Sequence, residues 1–572
     1  MPSRFNALAR AVAILLMVWL ALSLLVNLPS DSAAFLGPLH WALALEVGAI
    51  LAMLALGQAW AGYVPRIALH VLSGSVILLF VIRAADLTAQ TMVGRPLNLF
   101  LDLALVPAAA HVAAVMLGPA YVIPAAAGGA LMIAALHLVL VHLFAYLVRG
   151  FRQVAMRQAF AGISGIVLAL TAVQGLAPAD IIAWRPISGA ASLIVVEQAG
   201  RLSSTLARQA AFRADLANDP TLQINDAALF SSLSGTDVMV IFIESYGVSA
   251  LDNERYSATV RPRLWAFGER LAKAGLSVSS GRLLAATAGG QSWLNHATLS
   301  AGRWIDDQTL YALFLTELPR TLVHDFRRAG WRTAQVMPAI TLPWPEGHKL
   351  GYDATYVAAD MNYRGPNFYW GVVPDQFALD FFARRELEVP DRPPIFAMLA
   401  LISSHAPWLP VPDVVGWEKL GDGTIYARWA DSAPEPREVW RNTEAVRDQY
   451  ALSIGHSIDA VAAFLADRIP ADALVLVLGD HQPAPVIAGP GASRAVPVHV
   501  VAHDPGLLRP FDRLGFVPGV LPPPPPAGDG RLVRIDALRA FLLAAFSAGT
   551  DQGKRGGEVR SPRQVGVGAM PR

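Results

Sequence analysis

Between Leu8 and Leu176 the chain carries six apolar segments: Leu8 to Leu28, Leu39 to Gly62, Ile67 to Ile82, Leu97 to Leu117, Tyr121 to Val148 and Phe160 to Leu176. About 20 helical residues cross the hydrocarbon core of a bilayer, and most of these segments approach or exceed that length. Beyond them the chain alternates short strand-like and helix-like stretches. The pattern predicts two parts, a helical membrane domain followed by a globular α/β domain. Composition agrees, with 54% of residues hydrophobic and only 16% charged.

The fourth segment is interrupted by Asp102, Pro107 and His111. If all six segments spanned the membrane with Arg4 and Arg10 inside, then Arg149, Arg152 and Arg157 would lie outside, against the positive-inside rule. Treating the fourth as re-entrant or protein-buried restores the rule. This leaves about five spans and an extracytoplasmic globular domain, so the expected location is the inner (cytoplasmic) membrane, multi-pass. The expected organisation is a multi-span domain over residues 1–177 and an amphipathic juxtamembrane linker over 178–235, in which Ser192 to Leu216 reads as a surface-lying helix. A catalytic domain over 236–548 follows, closed by a helix from Arg534 to Phe546, and then a disordered tail over 549–572.

A formal net charge of +1 provides no broad basic field, so no nucleic-acid partner is expected. The chain has no cysteine. That excludes disulfides, thiolate metal sites and cysteine nucleophiles, and leaves His, Asp, Glu and hydroxyl groups for any chemistry.

Two aliphatic runs in the globular part, Val238 to Ile243 and Leu474 to Leu478, read as buried parallel strands and end abruptly in Glu244 and in Gly479-Asp480-His481. Strand carboxyl ends are where α/β sheets bind ligands. Two carboxylates and an imidazole form a donor set suited to one divalent metal, Mn²⁺ or Zn²⁺. Taken singly, Glu244 reads equally as a helix cap and Asp480-His481 as turn residues; taken jointly they point to a metal. Ser292 follows a small, Gly-containing stretch at the predicted start of a helix, where backbone N–H groups favour an anion such as phosphate. Ser292 also suits an N-cap.

These segments, Phe242-Ile243-Glu244-Ser245-Tyr246-Gly247, Gly290-Gln291-Ser292-Trp293 and Leu478-Gly479-Asp480-His481, resemble the alkaline phosphatase/sulfatase superfamily, in particular its membrane-anchored branch of lipoteichoic acid synthase-like phosphoglycerol and phosphoethanolamine transferases. The resemblance implies a sulfatase-like domain with a central, mostly parallel sheet. It also implies Ser292 as nucleophile and metal ligand beside Glu244, Asp480 and His481. Gly302 stands ten residues after Ser292, as in the family's Leu-Thr-Gly type ending. Membrane transferases commonly have Thr at this position, which keeps Thr287 as a second candidate.

Ser403-Ser404-His405-Ala406-Pro407-Trp408 resembles the family segment whose His contacts the phosphoryl headgroup, which implies a substrate-binding role for His405. Pro343-Trp344-Pro345-Glu346 resembles the family's Trp-containing substrate loop, but Glu346 stands where the family has Arg. A carboxylate in place of a bidentate phosphate clamp suits a headgroup with a cationic amine or a neutral polyol.

The implied reaction moves a phospholipid headgroup, phosphoethanolamine or phosphoglycerol, through a phospho-serine to an envelope glycan or lipid acceptor. The alternatives are a hydrolase of phosphate or sulfate esters and a non-catalytic membrane scaffold. Ser292 lacks the downstream Pro and Arg of a formylglycine motif, which argues against sulfate ester chemistry.

Overall fold

The computed structural model describes residues 2–28, 41–93, 95–176, 186–317, 319–341, 346–368, 373–430 and 435–548. Among these, four helices are long and apolar enough to cross a membrane: Phe5–Val26, Arg66–Thr91, Ala120–Gly150 and Val154–Leu176. A shorter apolar helix covers Leu45–Ala61. The expected fourth segment is broken, as its polar residues suggest, into a four-residue helix Leu99–Asp102, a 3-10 turn Leu103–Leu105 and a helix Val106–Leu117. At the break Asp102 receives both the Arg95 guanidinium, at 2.5 and 3.1 Å, and the Asn98 N–H at 2.8 Å. A carboxylate so committed has its charge compensated locally.

The predicted linker helix is present as Ala190–Ala217. It touches both halves of the molecule. Its Ser192 N–H donates to Glu46 in the membrane half at 2.6 Å, while Arg208 reaches Asp307 in the globular half at 3.5 Å.

The globular half is built on a nine-stranded sheet: β1 (Asp237–Ile243), β2 (Ser277–Leu284), β3 (Arg332–Met337), β4 (Ala354–Val357), β5 (Ile395–Ala400), β6 (Ala473–Gly479), β7 (Ala495–Ala502), β8 (Val517–Pro518) and β9 (Val533–Arg534). The spatial order is β8-β2-β7-β6-β1-β5-β3-β4, with β9 added to β2. Strands β6, β1, β5, β3 and β4 form the expected parallel block, and β7 runs antiparallel to both its neighbours. The closing helix begins at Ala537 rather than Arg534, because Val533 and Arg534 pair with Leu283 and Leu284 as a strand.

Every residue of β1 is buried. Met239, Ile241 and Ile243 enter the core beneath the helices Glu254–Lys273 and Thr443–Asp467, while Val238, Val240 and Phe242 enter the opposite core with Phe326, Phe396 and Leu542. A sheet covered on both faces accounts for an uninterrupted apolar run in place of an alternating one. Each such side chain stabilises the fold by ~1.5–3 kcal/mol relative to exposure.

Candidate active site

Register brings the two acidic strand ends together. Strands β1 and β6 are neighbours with Ile243 opposite Gly479, so Glu244 and Asp480 leave the sheet side by side although 236 positions separate them in sequence. Two glycines permit the approach. A Cβ on Gly479 would lie 1.8 Å from the Tyr246 carbonyl oxygen, and one on Gly247 would lie 1.5 Å from the Gln482 side chain and 2.7 Å from its Cα. The glycines of both motifs therefore answer to crowding of the chain on itself.

Glu244, Asp480 and His481 are all buried, and one ligand atom from each lies within 4.8 Å of the others. No other group of three His, Cys, Asp or Glu side chains among the described residues meets that condition. His481 Nε2 lies 3.2 Å from Glu244 Oε1 and 3.9 Å from Asp480 Oδ2. Its Nδ1 faces the Gln482 carbonyl at 3.0 Å, which leaves Nε2 for a metal.

Ser292 opens the helix Ser292–Ala301, but it is not the cap. Gln291 holds that position in the left-handed region at φ 64°. The Ser292 hydroxyl is thereby released from capping. It donates to Glu244 Oε2 at 2.9 Å and lies 3.2 Å from His481 Nε2. Ser245, at φ 57°, is a second non-glycine residue in this region, and such residues are strained. Its N–H donates to Asp480 Oδ1 at 2.8 Å and its hydroxyl to Glu244 Oε1 at 2.8 Å. Thr287, the second hydroxyl candidate, makes no hydrogen bond to the cluster.

Burial opposes the charge on every member of this cluster, but their mutual attraction redistributes it. Against that burial, His481 holds Glu244 well below the usual carboxylate range. Asp480 is pushed well above it by burial and by the neighbouring Glu244 charge. His481, though buried, is raised to about 9 by Asp480 and Glu244. Two buried carboxylates this close resist joint ionisation unless a cation joins them. The donor set, two carboxylates, an imidazole and an adjacent hydroxyl, fits a divalent metal such as Mn²⁺ or Zn²⁺.

The segment after β5 supplies a third wall. Phe242 lies opposite Ala400, and Asp375, fully buried, receives the N–H groups of Ile402 and Ser403 at 2.8 Å. Ser404 is fully buried and its hydroxyl donates to the Glu244 carbonyl at 2.6 Å. His405 follows and helps to line a small recess with Phe368 and Leu409.

Of the residues predicted from sequence, the structure brings together Glu244, Ser292, Asp480 and His481, with His405 at the rim. Trp344 lies outside the described residues, and Glu346 opens a four-residue helix in which its side chain is not described. Sequence reasoning missed the structural parts played by Ser245 and Ser404. Asn295 also belongs to the site. The Asn295 amide donates to the Asp480 carbonyl while its oxygen receives the Ala286 N–H at 2.8 Å, fastening the serine helix to the third motif. The available signal was a polar amide three residues after Ser292 in the same short helix.

Fold and site define an α/β protein attached to membrane-type helices, with a buried acid-imidazole centre and a hydroxyl at the carboxyl edge of a mainly parallel sheet. Among solved structures the chain is similar to the lipoteichoic acid synthase LtaP from Listeria monocytogenes, at 12% identity over 56% of this chain and 74% of that one, with a TM-score of 0.36. It is also similar to a protein in the alkaline phosphatase superfamily from Vibrio parahaemolyticus, at 16% identity over 52% and 68% of the two chains and a TM-score of 0.33. A third is the phosphonate monoester hydrolase of Agrobacterium radiobacter, at 15% identity over 50% and 74%, TM-score 0.30. No family model and no curated protein sequence matches the chain.

Proposed function

We propose that this chain is a membrane-bound, metal-dependent phosphotransferase of the alkaline phosphatase/sulfatase superfamily, moving phosphoethanolamine or phosphoglycerol from a membrane phospholipid to an envelope glycan or lipid. The observation that carries this reading is the Ser292 hydroxyl, which lies 2.9 Å from Glu244 and 3.2 Å from His481 at the start of a helix. That hydroxyl is committed to the acid-imidazole cluster and not to the helix backbone.

Glu244, Asp480 and His481, with the Ser292 oxygen, would hold one divalent cation. When bound, the cation would supply Lewis-acid stabilisation of phosphoryl charge and lower the pKa of the serine hydroxyl. Glu244 orients the hydroxyl by accepting its proton in a hydrogen bond. The Ser292 oxygen attacks phosphorus and forms a new O–P bond. The bond from phosphorus to the diacylglycerol oxygen breaks, and that oxygen leaves with the electron pair and takes up the proton that Ser292 gives up. The start of the Ser292–Ala301 helix favours the incoming phosphate through its backbone dipole. His405 contacts the headgroup. An acceptor hydroxyl then displaces Ser292 from phosphorus. The catalytic domain works on the outer face of the inner membrane, beside its lipid donor.

The test is to incubate detergent-purified protein with Mn²⁺ or Zn²⁺ and either phosphatidylethanolamine or phosphatidylglycerol, then to map adducts by peptide mass spectrometry. A headgroup phosphoester on Ser292 is expected, and its mass names the donor. Metal-loaded protein that forms no adduct with either lipid sinks the reading.

A further inference from the structure

Next to the serine centre lies a second cavity of about 310 Å³, whose lining the chemistry above does not use. Gln291, immediately before Ser292, and Gln482, immediately after His481, form part of its wall, together with Thr287, Arg494 and Asp529. Arg95 reaches it from the loop that follows the membrane-half helix Arg66–Val93. That helix packs against the Pro485–Ala488 turn at the cavity's edge, so both halves of the molecule build this site.

Two observations indicate a ligand and its class. Thr287 is only 6% exposed, yet its hydroxyl finds no hydrogen-bond partner. Leaving a buried hydroxyl unpaired costs ~1–3 kcal/mol, which a ligand with matching groups would recover. The second observation is charge balance. Arg95 is neutralised by Asp102 and the cavity-lining Asp306 by Arg208, while Asp529 accepts the Ser493 hydroxyl at 2.5 Å and the Arg494 N–H at 3.0 Å. A trap for phosphate would carry an excess of cations. Here the two remaining charges of the lining, Arg494 and Asp529, cancel and leave no net charge.

We propose that this cavity is the acceptor subsite and that it takes a neutral polyhydroxyl group, a sugar or polyol, whose hydroxyls bond to Thr287 Oγ1 and the Gln291 amide. The inference rests on the transferase reading of Ser292. One acceptor hydroxyl attacks phosphorus of the phospho-serine and a new O–P bond forms. The bond between phosphorus and the Ser292 oxygen breaks, and Ser292 regains the proton that the acceptor gives up. Arg95 makes the membrane half part of the acceptor site.

The experiment uses full-length protein in detergent and titrates methyl β-D-glucopyranoside, with inorganic phosphate in parallel, following binding by saturation-transfer NMR. The wild type should bind the glycoside, Thr287→Val should weaken it about five- to tenfold, and Thr287→Ser should restore it. Ala492→Phe, at the cavity wall, should block the glycoside by volume. Glycoside affinity that is the same in wild type, Thr287→Val and Ala492→Phe overturns the proposal. So does phosphate binding more tightly than glycoside in a manner abolished by Arg494→Ala. The Ser292 adduct assay on wild type is read separately: its failure together with Thr287-dependent glycoside binding removes the transferase reading and keeps a polyol site.

Discussion

The membrane half and the globular half use the same apolar residues to opposite ends. In the spanning helices Ala120–Gly150 and Val154–Leu176, large side chains such as Leu131, Ile166 and Leu168 are more than half exposed on the protein surface, as suits a helix surrounded by lipid. In β1 and β6 every side chain is buried between helices. Buried polar groups differ as well. In the membrane half, Trp19 and Asn27 donate to the carbonyls of Ala44 and Ala42, and Asn27 also accepts the Ser188 hydroxyl, which ties the first helix to backbone outside the helices. The globular half gathers polar groups from distant segments, at strand ends and around buried charges. Contacts of the first kind are repairable by neighbours; contacts of the second kind have no substitute.

Substitutions that reach into each half test that contrast. The largest effect falls on Ser292: Ser292→Ala should reduce headgroup transfer ~10³-fold or more while the thermal unfolding midpoint stays put. Retained transfer would place the nucleophile elsewhere.

The next effect is on stability. Arg539 is 1% exposed and bridges Asp219 and Asp325 at 2.8 Å each, joining segments more than 200 residues apart. Arg539→Ala takes a buried partner from both carboxylates, leaving Asp325 to Arg320 and Asp219 to Arg303 and Thr221, and should cost ~3 kcal/mol in denaturant unfolding.

Asn295→Ala unfastens the serine helix from Asp480 without touching a ligand. Metal affinity, read by competition with a chelating dye, should fall ~10- to 100-fold.

Acid should weaken the globular half through His499. It lies in β7, hydrogen-bonded to Tyr246 and Ser280, and burial lowers its pKa from 6.5 to about 3. The folded pKa is depressed, so the unfolded chain takes up a proton that the folded chain refuses. Stability is complete above pH 6.5 and declines as pH falls from there toward 3, by on the order of 1 kcal/mol per pH unit. In His499→Gln the acid limb of the stability profile should flatten over that window.

The smallest effect belongs to the membrane half. Trp19→Phe removes the bond to Ala44 and should cost on the order of 0.5 kcal/mol, because the helices find other partners. A loss as large as that of Arg539→Ala would erase the distinction between the halves.

Much of this was legible in the chain. Runs of about 20 apolar residues announce spanning helices and runs of six announce strands, because length separates the two where periodicity does not. The residues ending those runs, Glu244 and Asp480-His481, identified themselves by being acidic or basic where apolar side chains should continue. Asp102 marked the break in the fourth segment for the same reason.

Other features required the assembled molecule. That β1 and β6 are neighbours, that Gln291 and not Ser292 caps its helix, and that Asn295 clasps Asp480 depend on contacts between segments up to 236 positions apart. So does the arrival of Arg95 beside Thr287. Local sequence determined which stretches are helix, strand or motif, because side-chain periodicity and burial act over a few residues. Strand order, register and the meeting of side chains across the sheet were decided only by the tertiary structure, because they follow from packing two cores at once and no single segment encodes its neighbours.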